Sequence, residues 1–182
     1  TYVGAANGLS NSEANNQGFA KTSKPGTYFL TSESPAVILS YAEVQFSLAE
    51  AVARGFISGN ADTYYKEGIA ASLKQFGVTD ATVIATYLSQ PAVLYNAVNY
   101  KESIGLQKWI AFYGQGLDAF AEWRRLDYPQ LTAGVSTVLD GEMPSRFFYP
   151  GTEQSLNGIN YQLAVSSQGP DLLTTRLWFD VN

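Results

Sequence analysis

Apolar positions recur with a helical period from Leu39 to Arg54. Wound at about 3.6 residues per turn, Glu43, Ser47, Glu50 and Arg54 fall into one narrow stripe, and the remaining surface is almost wholly apolar, with Tyr41, Ala42, Val44, Phe46, Leu48, Ala49 and Val52. A helix this apolar is expected to be packed by neighbours on several sides, and Ala49, Ala51 and Ala53 allow them close approach. Gly55 stands just past Arg54, where a left-handed residue commonly stops a helix. A second helix is expected from the N-cap Asn60 to about Phe76, with Tyr65, Ile69, Ser72, Leu73 and Phe76 on one face and Gly77 at its end. The short connection Ile57-Ser58-Gly59 favours antiparallel neighbours, so 39–54 and 60–76 read as one tetratricopeptide-like helical hairpin.

The pattern then predicts a shorter helix from Thr79 or Asp80 to Leu88, with Val83, Ile84, Tyr87 and Leu88 inward, and Pro91 preventing its continuation. Residues 89–100 read as a loop. From Ser103, the stripe Leu106, Trp109, Ile110 and Tyr113, continued by Leu117 and Phe120, predicts one kinked helix or two separated by Gly114-Gln115-Gly116, ending near Leu126. Trp109, Phe112, Tyr113, Phe120 and Trp123 are expected in the core. Farther on, Gly and Pro leave room for turns and short helical pieces around 152–166. Residues 1–36 carry no helical or strand period, and Pro25-Gly26 marks a turn before a possible short strand, Thr27–Thr31. The expected organisation is an irregular segment over 1–36 and a helical part over 37–182, mainly α with long ordered loops.

Composition narrows the chemistry. A net charge of −5 and no basic run argue against nucleic acid, whose binding depends on neutralising phosphates. With no Cys and no His, thiolate nucleophiles, histidine-based triads and the usual transition-metal sites are excluded, and no metal or cofactor is expected. The aromatic content is 14%, led by 12 Tyr. That suits ring-shaped polar ligands or protein partners.

Carboxylates are the remaining catalytic device. Glu43 and Glu50 lie two turns apart, roughly 10 Å between Cα atoms, slightly long even for inverting glycoside hydrolysis. Glu50 is better placed to pair with Arg54 at i,i+4, and Glu43 with a cation from a neighbouring helix. Asp118 and Glu122 are close enough for acid and base work. Arg124 and Arg125 beside them favour a salt-bridged corner joining two helices instead. Among loop residues, Tyr2, Tyr28, Tyr95 and Tyr100, set among Asn7 and Asn96, form the apolar-plus-amide mixture that stacks on and hydrogen-bonds a sugar. The competing reading is that loop tyrosines merely cover a core edge.

Several short motifs, in order, resemble SusD/RagB-type lipoproteins. They are Tyr41-Ala42-Glu43-Val44 with Leu48-Ala49-Glu50-Ala51, Tyr64-Tyr65 with Gly68-Ile69, Gln107-Lys108-Trp109-Ile110-Ala111, and Arg124-Arg125 with Tyr128-Pro129. Met143 through Pro150, then Glu153 and Asn157, and finally Leu177-Trp178-Phe179-Asp180 continue the series. The resemblance implies the C-terminal portion of a SusD-like α-helical fold, with the lipid-anchored N-terminal part, and its acylated Cys, absent. It further implies a nutrient-binding protein on the outer-membrane surface that passes an oligosaccharide to a SusC-like TonB-dependent barrel without cleaving it. The alternatives are a glycoside hydrolase using Asp118 and Glu122, and a scaffold that binds protein but no sugar.

Overall fold

The computed structural model describes residues 2–134 and 139–180. Among them are eight α-helices and no strand. They fall into two compact units, Gly26–Gln130 and Thr1–Pro25 with Leu131–Asn182.

In the first unit, α2 (Tyr41–Ala53) starts at Ser40, whose hydroxyl accepts the Glu43 N–H at 3.0 Å. It stops where Gly55, at φ 73°, lets its own N–H reach Val52 O and the Phe56 N–H reach Ala51 O. Asn60 starts α3 (Ala61–Gln75) by accepting the N–H groups of Asp62 and Thr63, and Gly77 closes it with the same pair of backwards hydrogen bonds. The two helices run antiparallel: Phe46 meets Tyr65 and Gly68 midway, while Gly59 lies against Val52 and Tyr64 at the connecting end. A Cβ on Gly68 would come within 2.9 Å of the Phe46 ring, so glycine sets the spacing of the hairpin.

Asp80 caps α4 (Ala81–Leu88). Next come α5 (Tyr100–Ala111) and α6 (Gly116–Leu126), separated at Gly114-Gln115, where Gly114 has φ 92° and lies against the Phe29 ring. Phe46, Ala49, Tyr65, Ile69, Val93, Ile104, Ala111 and Leu126 form one core.

Three expectations need correction here. α2 is packed along one face only: Ala42, Gln45, Phe46, Ala49 and Glu50 are buried, whereas Tyr41 is 64% exposed and Val44 lies at the surface. α5 begins at Tyr100 rather than Ser103 and is turned the other way about its axis. Trp109, Ile110 and Tyr113 face solvent, as does Leu117 in α6, while Ile104, Gln107, Lys108 and Ala111 point inward with Phe112. Of the expected core aromatics only Phe112 is fully buried; Phe120 and Trp123 are half-buried. The cause is charge pairing, described below: a paired lysine can be buried, so polarity alone misplaces the face.

In the second unit the expected irregular N-terminal stretch holds α1 (Asn11–Gln17), nucleated by a reciprocal cap between Ser10 and Glu13. A 3-10 turn covers Phe19–Lys21. The strand expected at Thr27–Thr31, in the first unit, is a 3-10 turn over Thr27–Phe29. Two short helices, α7 (Gly151–Leu156) and α8 (Gly158–Gln168), follow an extended stretch. The N–H groups of Ser145 and Arg146 both donate to Leu173 O, and Arg146 Nη2 donates to Asp171 Oδ1 at 2.9 Å, with both side chains almost wholly buried. This ion pair and these hydrogen bonds tie the C-terminal segment to the stretch before α7.

Candidate functional site

A charged cluster joins α2, α5 and α6. Arg125 presents its fork to Glu50, with Nη1 to Oε1 at 2.5 Å and Nη2 to Oε2 at 2.6 Å, and also donates to both oxygens of Glu122. Glu122 accepts a second cation, Lys108, at 3.0 Å, and Glu50 accepts Arg54 at 3.2 Å. Lys108 Nζ also donates to Ser47 Oγ. Its side chain is only 4% exposed and that of Glu50 9%, whereas Arg125 and Arg54 reach the surface, so the two carboxylates meet three cations in a half-buried network. Burial alone would push the Glu50 carboxyl up, but the Arg125 hydrogen bonds and charge, with Arg54 and Lys108, bring it below the usual carboxylate range. For Glu122 burial acts the same way and is again outweighed, by Arg125 and Lys108. The Arg125 guanidinium is raised in turn, first by its hydrogen bond to Glu50.

This chemistry is a clamp. Held ionised by two cations, Glu122 is committed to the ion-pair network, and its neighbour Asp118 is exposed. Two further members of the expected ion-pair set stand apart from the clamp. Arg124 lies over the Phe120 ring, 4.2 Å from its centroid, with Nε donating to Phe120 O. Glu43 forms no ion pair among the described residues; its own N–H completes the Ser40 cap.

The six candidate sugar-contacting residues are divided between the two units: Tyr28, Tyr95, Asn96 and Tyr100 belong to the first, Tyr2 and Asn7 to the second. Tyr28 packs edge-on to Phe29 and Phe76, with ring centroids 4.9 and 5.2 Å away. Tyr95 sits against Tyr65, 5.3 Å between centroids, and Tyr100 packs on the core beside them. Burial, followed by the neighbouring Tyr100 and Asp62, raises the Tyr95 hydroxyl above its ordinary value. Phe76 is the C-cap of α3 and Tyr65 lies eleven residues before it, roughly 16 Å along the axis, so Tyr28 and Tyr95 pack on different turns of the hairpin. Asn96 uses its side-chain oxygen to accept the N–H groups of Val98 and Asn99, shaping the entry to α5. Tyr2 and Asn7 belong to the other unit; Tyr2 is 96% exposed and Asn7 is exposed as well.

Two cavities were not anticipated. A groove of about 510 Å³ runs along the hairpin, floored by Ala42, Ala70 and Ala71 and edged by Tyr41, Glu67 and Lys74. A second, of about 340 Å³, lies within residues 5–22 of the other unit. No apolar periodicity marks either one; in the second, the Ser10–Glu13 capping box was the only available signal, and it points to a helix rather than a pocket.

Over residues 1–150 the chain matches the SusD-like family model described as "Starch-binding associating with outer membrane". It belongs to the SusD-like family. A SusD homologue from Bacteroides fragilis is 31% identical, with a TM-score of 0.79 over 98% of this chain and 42% of that one. A chitin-binding SusD homologue from Flavobacterium johnsoniae is 29% identical, with a TM-score of 0.67 over 78% of this chain and 36% of its own. Another structure, described as a chitin-binding protein, is 35% identical, with a TM-score of 0.70 over 78% of this SusD-like chain and 33% of its own. The chain thus spans less than half the length of these relatives. A search of curated proteins finds no match. Among the described residues no helix is long and apolar enough to cross a membrane.

Proposed function

We propose that this SusD-like chain serves in glycan capture at the cell surface, in a lipid-anchored protein that passes its ligand to a SusC-like TonB-dependent outer-membrane barrel. The observation that carries the reading is the family match, together with structural similarity to two proteins described as chitin-binding. Composition supports it: many tyrosines and amides, a net negative charge, and neither His nor Cys. The saturated clamp around Glu122 weighs against the hydrolytic alternative.

Calorimetric titration of the chain with chito- and malto-oligosaccharides tests the reading, with reducing ends assayed in parallel. Saturable binding with no new reducing ends is expected. Reducing ends that appear with wild-type protein and vanish in Asp118→Asn would replace it with the hydrolase reading. A panel without any binding would remove the glycan.

A further inference from the structure

The segment before Pro25 closes on itself. The Val3 N–H donates to Ser23 Oγ at 2.8 Å, and the Ser23 N–H donates to Val3 O at 2.7 Å, so one side-chain and one backbone hydrogen bond clasp the ends of the loop. Within it α1 is held by its capping box, and Gly18, at φ 75°, turns the chain into the 3-10 turn that begins at Phe19. Gly134 lies so near the backbone of Asn7 and Gly8 that a Cβ there would come within 2.7 Å of Gly8 Cα. These contacts hold the loop's shape from within, which lowers the ordering cost of binding.

Its cavity of about 340 Å³ is lined by Ala5, Ala6 and Leu9 from the incoming stretch and by Asn15, Gln17 and Phe19 from α1 and the turn after it. That volume sits at the small end of the roughly 300–1,000 Å³ of ligand pockets. No Asp, Glu, Lys or Arg lines it. The Asn15 and Gln17 side-chain amides make no hydrogen bond to another described residue, so both keep donors and acceptors available. Phe19 is 75% exposed, a large apolar ring left in water at the pocket wall, with Lys24 Nζ 4.7 Å from its centroid. An apolar ring beside free amides, with Lys24 next to the ring as the one charge close by, matches a ligand that has one apolar face and a rim of hydroxyls.

We propose that this pocket binds one or two rings of a neutral oligosaccharide, with the Phe19 ring covering the sugar's C–H face and the Asn15 and Gln17 amides bonding its hydroxyls. The hairpin groove is the poorer candidate, since Glu67 and Lys74 edge it with charge. The proposal rests on the glycan-binding reading above and assigns its site.

The test is calorimetry on the full chain with neutral chito- and malto-oligosaccharides, comparing wild type with Phe19→Ala, Phe19→Trp and the double change Asn15→Ala/Gln17→Ala. Phe19→Ala should weaken binding at least about ten-fold, which is ~1.4 kcal/mol. Phe19→Trp, which keeps a ring, should stay within about three-fold of wild type, ~0.65 kcal/mol by the same conversion. The double variant should lose at least about ten-fold. Because all three positions lie at or near the surface, unchanged circular dichroism should accompany these losses. If wild type binds a sugar and both alanine variants bind it within two-fold, the pocket assignment is wrong while glycan binding stands. If wild type binds no sugar in the panel, both fall together. Preference for an anionic oligosaccharide over its neutral counterpart would also overturn the assignment.

Discussion

Arg125 bridges the two carboxylates of the clamp, and its removal is a quantitative test of it. It holds Glu50, whose side chain is 9% exposed, and Glu122, at 23%, while itself being 31% exposed. Breaking a fully buried pair costs about 3–5 kcal/mol. Here Arg54 stays on Glu50 and Lys108 on Glu122, so neither carboxylate is left without a cation. The expected loss for Arg125→Ala is therefore lower, about 2–3 kcal/mol. At about 2–4 °C per kcal/mol for a chain of this length, Tm should fall by roughly 4–12 °C. Arg125→Lys should recover only part of it, because an ammonium cannot present a fork to Glu50. The pH dependence follows from the direction of the carboxylate shifts. Both groups lie below their ordinary value of 4.5 in the fold, so their stabilisation is whole above 4.5 and is lost as pH falls through the folded values. Thermal melts followed by circular dichroism at pH 7 and pH 3 should show the gap between wild type and Arg125→Ala narrowing in acid. A variant melting within about 1 °C of wild type at pH 7, where about 4 °C is the smallest drop foreseen, would refute the reasoning. So would a gap that is the same at both pH values.

Three other outcomes are expected. Gly105→Ala should destabilise by about 1–3 kcal/mol, because its Cβ would lie 2.7 Å from Tyr128 Cβ and 3.1 Å from Tyr128 O, whereas Gly116→Ala, with open space around it, should be neutral or stabilise by up to about 1 kcal/mol; denaturant melts of the pair separate steric from entropic effects. Tyr65 donates to Val93 O at 2.8 Å, and burial raises its hydroxyl above its ordinary value of 10, so stability should hold below pH 10 and decline above it, less steeply in Tyr65→Phe; equal slopes in the two proteins would contradict the assignment. Arg146→Ala should cost about 3–5 kcal/mol by leaving Asp171 buried without its cation, and hydrogen exchange at the Ser145 and Arg146 amides should quicken while α3 amides keep their protection; unchanged exchange at those two sites would show that the ion pair does not hold the segment.

Signals acting over a few residues were legible in the chain. Asn60 and Asp80 announced the starts of α3 and α4 because a side-chain oxygen satisfies helix N–H groups only two or three residues away. Gly55 and Gly77 announced the ends because each takes a positive φ that the termination requires. The Glu50–Arg54 pair is an i,i+4 contact, available from spacing alone. The helix α1 escaped because it is short and buries no residue, so it has no apolar period to show; its capping box was the one local sign.

What the chain's local chemistry determined by itself is therefore most of the helices, the limits that a cap or a glycine marks, and the absence of thiol and imidazole chemistry. The inward face of α3, with Tyr65 and Ile69, followed from its period, whereas that of α5 was decided only by the assembled structure. Glu50 and Arg125 are 75 residues apart in the chain, and Lys108 reaches Ser47 across 61. Only when α2, α5 and α6 meet do these charges neutralise one another, and that pairing lets Lys108 and Gln107 occupy the interior while Trp109 and Tyr113 remain in water. The same holds for the tyrosines and the pocket. Tyr28 and Tyr95 are committed to rings brought to them by α3, whereas Phe19, with only Lys24 beside its ring among the described contacts, stays 75% exposed. Burial is a property of neighbours, and neighbours distant in sequence are set by packing rather than by period.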